Sequence, residues 1–276
     1  MDRIRLIASD MDATLLDEQS QLPADFEETI HALAELGIRF APASGRPLYT
    51  LEELFPTLRD ELVFIGDNGG AIRWKGQNLF TSEMSPEGWR ALNRLTREQG
   101  DIAVLCGLES AYVERPFAVH DAVLRHFYTK IEYVDRLEDV TAPADKFTIY
   151  LPQHNAQQAY DTVYASQRSI YSVAVAGECW VDIMNPGVHK GAALQTLGQL
   201  WGLPSESIMA FGDTYNDAEM LRTAKYGFLM ENGSVPLRQK VPFLAPSHRE
   251  AGVMQVLHRV LAQNGCVCPE DFIPAH

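Results

Sequence analysis

Short apolar runs alternate with helix-period stretches near the N-terminus of this chain and again after residue 190. Few folds satisfy that order. Ile4–Ser9 reads as a buried strand. A helix is expected from Pro23 to Leu36: Pro23 suits the first turn, Phe26, Ile30 and Leu33 share one face, and Gly37 ends it. Ile38–Ala43 is a second strand, Pro47–Phe55 a second helix and Leu62–Ile65 a third strand. Such an order implies right-handed crossovers and a parallel sheet with helices on both faces.

The pattern then changes. Ala71–Trp74 and Asn78–Thr81 flank Lys75-Gly76-Gln77 as a hairpin. From about Met84 to Pro186 helices mix with hairpin-like strands: a helix at Pro86–Gln99, a strand at Phe147–Leu151, and the pair Ser172–Ala176 and Cys179–Ile183 around Gly177. Alternation resumes with a helix at Gly191–Trp201, a strand at Ser207–Phe211, a helix at Asn216–Ala224, a strand at Gly227–Met230 and a last helix at about Glu250–Gln263. The expected architecture is α/β: a Rossmann-like, doubly wound parallel sheet built from residues 1–83 and 187–276, interrupted by an α/β domain at 84–186.

The 276 residues carry a formal net charge of −14, with 37 acidic and 23 basic side chains. So acidic a chain lacks the basic footprint that nucleic acid or an anionic membrane needs, and an anionic substrate must be drawn in by a local cation. No apolar stretch approaches the roughly 20 residues of a membrane span, and the N-terminal apolar run is too short for a signal peptide. Cys106, Cys179, Cys266 and Cys268 form no CxxC pair; free thiols and a cytoplasmic location are the expectation.

Four polar stretches sit where strands should end, the edge at which open parallel sheets bind ligands. Asp10-Met11-Asp12-Ala13-Thr14-Leu15 places carboxylates at i and i+2, pointing the same way in extended chain. Charges so close call for a cation or a proton between them, although a polar turn capping the strand would use the same residues. Ala43-Ser44-Gly45-Arg46-Pro47 offers a hydroxyl and exposed amides before a helix, or a plain Ser44 cap with a surface arginine. Lys190 opens a helix, where a cation opposes the helix dipole unless an anion lies nearby; a solvated lysine is the alternative. In Phe211-Gly212-Asp213-Thr214-Tyr215-Asn216-Asp217 acids follow a strand at i and i+4, a pattern shared with an ordinary helix cap and first-turn acid.

Jointly the four supply hard oxygen donors, one lysine and helix amides. Oxygen donors without histidine or cysteine favour Mg²⁺ over zinc or copper, and lysine plus metal can neutralise a phosphoryl group in transfer. The set resembles the haloacid dehalogenase superfamily, in particular its Cof-type phosphatases: Asp10–Leu15 is similar to the DxDGT signature, and Ser44, Lys190 and Gly212–Asp217 follow as second, third and fourth motifs. The resemblance makes residues 84–186 an α/β (C2B-type) cap and implies roles. Asp10 would be the nucleophile that forms an aspartyl-phosphate; Asp12 would move protons and lend its backbone carbonyl to Mg²⁺. Ser44 would hold a phosphoryl oxygen and Lys190 would pair with Asp10 and the phosphate. Asp213 would bind the metal, with Asp217 supporting it directly or through another ligand. Asn216, Arg46 and Asn68 (in Asp67-Asn68-Gly69-Gly70) would face the substrate, a small phosphorylated molecule such as a sugar phosphate or phosphorylated cofactor. Ala13 departs from the family's usual glycine; if that position needs a positive φ, alanine is strained there by about 1 kcal/mol.

A phosphotransferase or phosphomutase of the same superfamily shares every one of these residues, and a non-catalytic phospholigand-binding protein is a rival of another class. Asp213–Asp217 lacks the glycine and terminal glutamate of a 12-residue Ca²⁺ loop. His120 and His126 read as surface or satisfied polar residues. Trp74, Trp89, Trp180 and Trp201 read as core or hinge packing; lining an entrance is the alternative for Trp180. Hinges are expected near Thr81–Pro86 and Asn185–His189. Oligomeric state is not legible.

Overall fold

The computed structural model describes residues 1–276. One six-stranded sheet runs in the order Ile273–Pro274, Phe243–Ala245, Tyr226–Met230, Ile208–Gly212, Leu6–Ser9, Arg39–Pro42. Four of its five pairings are parallel, and the one at the Ile273–Pro274 edge is antiparallel. Leu6–Ser9 and Ile208–Gly212 are wholly buried, as strands covered on both faces must be. Helices Phe26–Glu35 and Gly252–Ala262 pack one face through a core of Phe26, Phe40, Phe211, Phe228 and Leu257. Lys190–Trp201 and Ala218–Thr223 cover the other through Leu194, Leu197, Met220 and Leu221.

Chain order makes Leu6–Ser9 a switch point. From it the chain crosses to Arg39–Pro42 on one side, while Ile208–Gly212 lies on the other with Ser9 beside Phe211. The crevice beyond the carboxyl ends of such neighbours is where open α/β sheets bind ligands.

The expected third parallel strand is placed differently. Val63–Gly66 pairs antiparallel with Ala71–Trp74, which pairs with Gln77–Thr81 in a separate three-stranded sheet. The hairpin competes for the same backbone edge, so the parallel contact shrinks to one bridge, Ala43 to Ile65. Helix bounds also move by up to three residues. The first helix begins at Phe26 because Pro23–Asp25 forms a turn, and Asn216–Ala224 begins as a 3₁₀ turn, Tyr215–Asp217.

A second six-stranded sheet, largely antiparallel, is ordered Ser172–Ala176, Trp180–Met184, Ala144–Tyr150, Ile102–Gly107, Ala111–Glu114, Ile131–Val134. Side chains alternate across it. Phe147, Ile149, Val181 and Ile183 pack with Trp89 and Leu92 of helix Pro86–Gln99. Lys146, Thr148, Trp180 and Asp182 occupy the opposite face. The two connections between the sheets are strapped together: Asn185 Nδ2 donates to Ser82 O, Ser82 Oγ and Glu83 O at 3.2, 3.1 and 2.9 Å. No helix is long and apolar enough to cross a membrane.

Candidate active site

Asp10 leaves Leu6–Ser9 at the switch point, its amide donating to Phe211 O at 3.0 Å. The chain then turns at once instead of running on extended, because Ala13 takes φ 57°. Asp10 and Asp12 therefore diverge rather than pointing the same way. Asp10 is buried against Lys190. Asp12 stays half-exposed and meets Arg46, whose Nη2 donates to its two carboxylate oxygens at 2.8 and 3.1 Å.

Lys190 opens helix Lys190–Trp201 with its side chain 0% exposed. The anion that a buried cation at a helix start requires is supplied twice: its ammonium donates to Asp10 Oδ1 and, at 2.7 Å, to Asp217 Oδ1. The second oxygen of Asp217 accepts from the amides of Asp213 and Thr214 at 3.0 and 3.1 Å, which ties the fourth motif into a loop around its own last residue. Gly212 permits the closure, since a Cβ there would lie 2.4 Å from the Cβ of Asp217.

Asp10, Asp213 and Asp217 present carboxylate oxygens within 4.8 Å of one another. Burial first, then Asp217 and Asp213, push the Asp10 carboxyl up to about 8 against the pull of Lys190. Burial and Asp217 push Asp213 up to about 6. Desolvated acids outnumber the one lysine, a balance that a divalent cation would redress. An all-oxygen donor set fits Mg²⁺. Asp12's carboxylate lies outside this cluster, so Asp12 would reach an ion by its backbone carbonyl alone. Asp217, with both oxygens engaged, supports chiefly by fixing Lys190 and the Asp213 loop.

Ser44 is buried; its Oγ accepts from the Arg46 amide at 3.1 Å, and its own amide donates to Ile65 O. Asn68, at φ 54° in a tight turn, donates through Nδ2 to Asp182 Oδ2 at 2.9 Å and accepts from Asn216 Nδ2 at 3.4 Å. Asp10, Asp12, Ser44, Arg46, Asn68, Asp213 and Asn216 all line one cavity of about 700 Å³, with Lys190 and Asp217 sealed beneath it.

The opposite wall comes from the second sheet, and sequence reasoning found only part of it. Trp180 lines the cavity. So does His126, packed edge-on to Phe127 and exposed, as a surface residue should be. Lys146 and Asp182 are cavity residues whose only sequence signal is their period-2 place in strands that otherwise look apolar.

A profile of haloacid dehalogenase-like hydrolases matches residues 7–257. The chain belongs to that family. Among relatives of this hydrolase, the 5-amino-6-(5-phospho-D-ribitylamino)uracil phosphatase YbjI of Escherichia coli (strain K12) is 32% identical over 94% of this chain and 96% of its own. The HMP-PP phosphatase of Cronobacter sakazakii is 31% identical over 87% and 89%. A solved structure from Streptococcus mutans superposes with a TM-score of 0.85 at 29% identity, covering 94% of this chain and 99% of that one. The same fold occurs in a haloacid dehalogenase-like hydrolase from Bacteroides thetaiotaomicron, with a TM-score of 0.82 at 24% identity, 94% and 100% covered.

Proposed function

We propose that this hydrolase removes the phosphoryl group from small phosphomonoesters through an aspartyl-phosphate on Asp10, with Mg²⁺ held by Asp10, Asp213, the Asp12 carbonyl and the supporting Asp217. The observation that carries the reading is the buried Asp10–Lys190–Asp217 array beside Asp213, opening onto a cavity that Ser44 also lines. The names of the two curated relatives, both phosphatases, support it.

The bonds balance as follows. A carboxylate oxygen of Asp10 forms a bond to phosphorus as the bond from phosphorus to the ester oxygen breaks. Asp12, released from Arg46 and protonated, gives its proton to the departing alkoxide. As a carboxylate it then takes a proton from a water, whose oxygen attacks phosphorus while the bond to Asp10 breaks, freeing inorganic phosphate and restoring Asp10. Lys190 holds Asp10 in place and offsets phosphoryl charge. The Ser44 hydroxyl donates to a phosphoryl oxygen. When bound, the metal neutralises charge on the phosphoryl oxygens and the attacking carboxylate. Arg46 keeps a buried Nε without a partner, a donor free for an anionic substrate group.

Residues 84–186 act as a cap hinged at Thr81–Pro86 and Asn185–His189, flanking the catalytic unit of 1–83 and 187–276; closure keeps bulk water from the phosphoenzyme. The wall of Trp180, Phe127 and His126 suits a leaving group with an unsaturated ring, and the uracil in the E. coli relative's name supports a phosphorylated metabolite of that kind. All four thiols are free, which suits a reducing, cytoplasmic setting. The test is inorganic phosphate release across a panel of phosphomonoesters, sugar phosphates and 5-amino-6-(5-phospho-D-ribitylamino)uracil included, with and without Mg²⁺. Phosphate released only with Mg²⁺ is expected. No release from any member with Mg²⁺ overturns the reading, and transfer to a second sugar without free phosphate would make the enzyme a phosphotransferase.

A further inference from the structure

A second lysine lies buried outside the phosphoryl site. Lys146, on the second sheet, is 1% exposed, and its ammonium donates to the carbonyl of Gly45 at 2.5 Å. Gly45 lies between Ser44 and Arg46, in the loop that faces the phosphoryl group. Lys146 also stands 3.0 Å from Asp67 Oδ1 and 3.5 Å from Asp182 Oδ2. Asp182 is oriented by Thr148 Oγ1, which donates to its Oδ1 at 2.6 Å, and by Asn68 on the far side of the cavity. The lysine therefore reaches across from one sheet to the loop of the other.

We propose that Lys146 is a positioning residue: anchored in the second sheet beside Asp182, its ammonium fixes the Gly45 carbonyl and with it the direction of the Ser44 hydroxyl. The assignment of Ser44 to the phosphoryl group rests on the function proposed above. The contact forms only with the second sheet seated over the site, so it ties alignment of the loop to closure. A peptide turned by even an ångström there misdirects the hydroxyl, a displacement worth about 100-fold in rate.

Charge makes the contact pH-sensitive. Asp67 and Asp182 flank the ammonium, and a third buried carboxyl, Asp145, lies beside Asp67. Asp145 has no hydrogen-bond partner for either oxygen, and a Cβ on Gly70 would come within 3.0 Å of its Oδ2, so it abuts the Asp67 turn. The other ionisable groups facing the cluster are the Tyr49 hydroxyl from helix Leu48–Glu53, the Cys106 thiol from strand Ile102–Gly107, and the Tyr128 hydroxyl. All three are held neutral by burial, leaving the excess negative charge to the aspartates. Burial, then Asp67, raises the Asp145 carboxyl well above its ordinary range, and burial raises Asp67 as well. The seated arrangement thus holds more protons than a separated one, and it loosens as pH rises.

The test combines hydrolysis of p-nitrophenyl phosphate with amide hydrogen exchange at Ser44 and Arg46, referenced to strand Leu6–Ser9 and corrected for intrinsic rates. In Lys146→Met, kcat should fall about 10- to 100-fold with KM changed less than about threefold, and exchange at Ser44 and Arg46 should quicken at least about tenfold. Asp145→Asn, which keeps the lysine and removes a charge, should retain wild-type kcat and protection and abolish the loss of protection with pH. Wild-type exchange in Lys146→Met, or an unchanged kcat in folded protein, overturns the proposal, because a merely structural lysine lowers melting temperature alone. Should that variant not fold, the wild type decides: protection at Ser44 and Arg46 that stays constant as pH is raised across the range in which the protein stays folded overturns the proposal, and a fall supports it. A wild type that releases phosphate from no ester defeats the phosphatase reading, while the exchange arm still decides on Lys146.

Discussion

Replacing Ala13 with glycine isolates one term of the active-site geometry. Ala13 sits at φ 57°, left-handed backbone that costs a residue with a Cβ about 1–2 kcal/mol. Glycine removes that strain but loses more chain freedom on folding, about 0.5–1 kcal/mol. The half-buried methyl belongs to no core cluster. The hydrogen bond from Asn232 Nδ2 at 2.9 Å is to the backbone carbonyl of residue 13 and survives. The balance favours Ala13→Gly by about 0.5 kcal/mol, a rise in melting temperature of about 1–2 °C for a chain of this size. Activity should stay within about threefold, because Asp10 and Asp12 are placed by a turn that glycine makes at least as readily. Differential scanning calorimetry and phosphate release on the panel above provide the assay. A fall of several degrees, or a loss of more than tenfold in kcat, would show that the methyl packs against something the turn depends on, and the strain argument would be wrong.

Three further outcomes are expected. Asp10→Asn should lower phosphomonoester hydrolysis by at least about a thousandfold, as nucleophile removal does elsewhere, and abolish acid-trapped phosphoenzyme; unchanged turnover would refute covalent catalysis by Asp10. Lys190→Met breaks a fully buried ion pair and leaves Asp10 and Asp217 facing each other, so unfolding stability should drop by about 3–5 kcal/mol without metal; added Mg²⁺ should restore part of it, and a loss under about 1 kcal/mol would mean that the acids were never held as anions. For pH, Asp213 rises from 3.8 to about 6 and Asp10 from 3.8 to about 8 in the folded protein. The folded state then binds more protons than the unfolded one, so metal-free stability declines as pH climbs from about 4 through 6 to 8. Mg²⁺ competes with those protons, and its stabilising increment in thermal melts should be larger at pH 8 than at pH 5.5; equal increments would refute metal binding at these carboxylates.

How much of this was legible depended on how local the signal was. Strand-end positions of Asp10, Ser44 and Asp213 followed from apolar runs that stop at polar residues, because both faces of a parallel strand must be buried; Lys190 instead opens a helix six residues after the antiparallel strand Trp180–Met184. The buried anion beside Lys190 was likewise implied by a cation at a helix start. The divergence of Asp10 and Asp12 was not, since it depends on the backbone at Ala13 rather than on side-chain pattern. The misplaced strand Val63–Gly66 reflects a choice between two partners that only tertiary packing makes. The Lys146 wall escaped for the opposite reason: Lys146 falls just before the expected strand Phe147–Leu151, and an aspartate in the expected strand Cys179–Ile183 looks like a solvent-facing position until a second surface covers it. His126 is exposed on its helix, as expected, and its place at the cavity depends on distant segments that complete the opening.

The two buried lysines share one arithmetic and resolve it differently. Lys190 stands with Asp10, Asp213 and Asp217, and Lys146 with Asp67, Asp145 and Asp182, each a single cation among three carboxylates. Both trios reach the cavity, the first through Asp10 and Asp213 and the second through Asp182, but only the first brings its oxygens within 4.8 Å of one another. A hydrated cation can enter there, and a phosphate can complete its ligands. In the second, the ammonium is directed at Gly45 and Asp145 is sealed from solvent, and burial raises the Asp145 and Asp67 carboxyls, which favours a proton there. The division explains how an acidic chain can both attract a phosphate and close over it. On the proposed reading a bound cation would supply the local positive charge that a net −14 withholds, while a proton would let the buried carboxyls of Asp67 and Asp145 sit together. On the proposed reading protons then act at both clusters, competing with Mg²⁺ at Asp10 and Asp213 and bearing on the seating of the second sheet at Asp67 and Asp145. Lys146→Met should therefore leave the Mg²⁺ dependence of hydrolysis unmoved while shifting its pH profile.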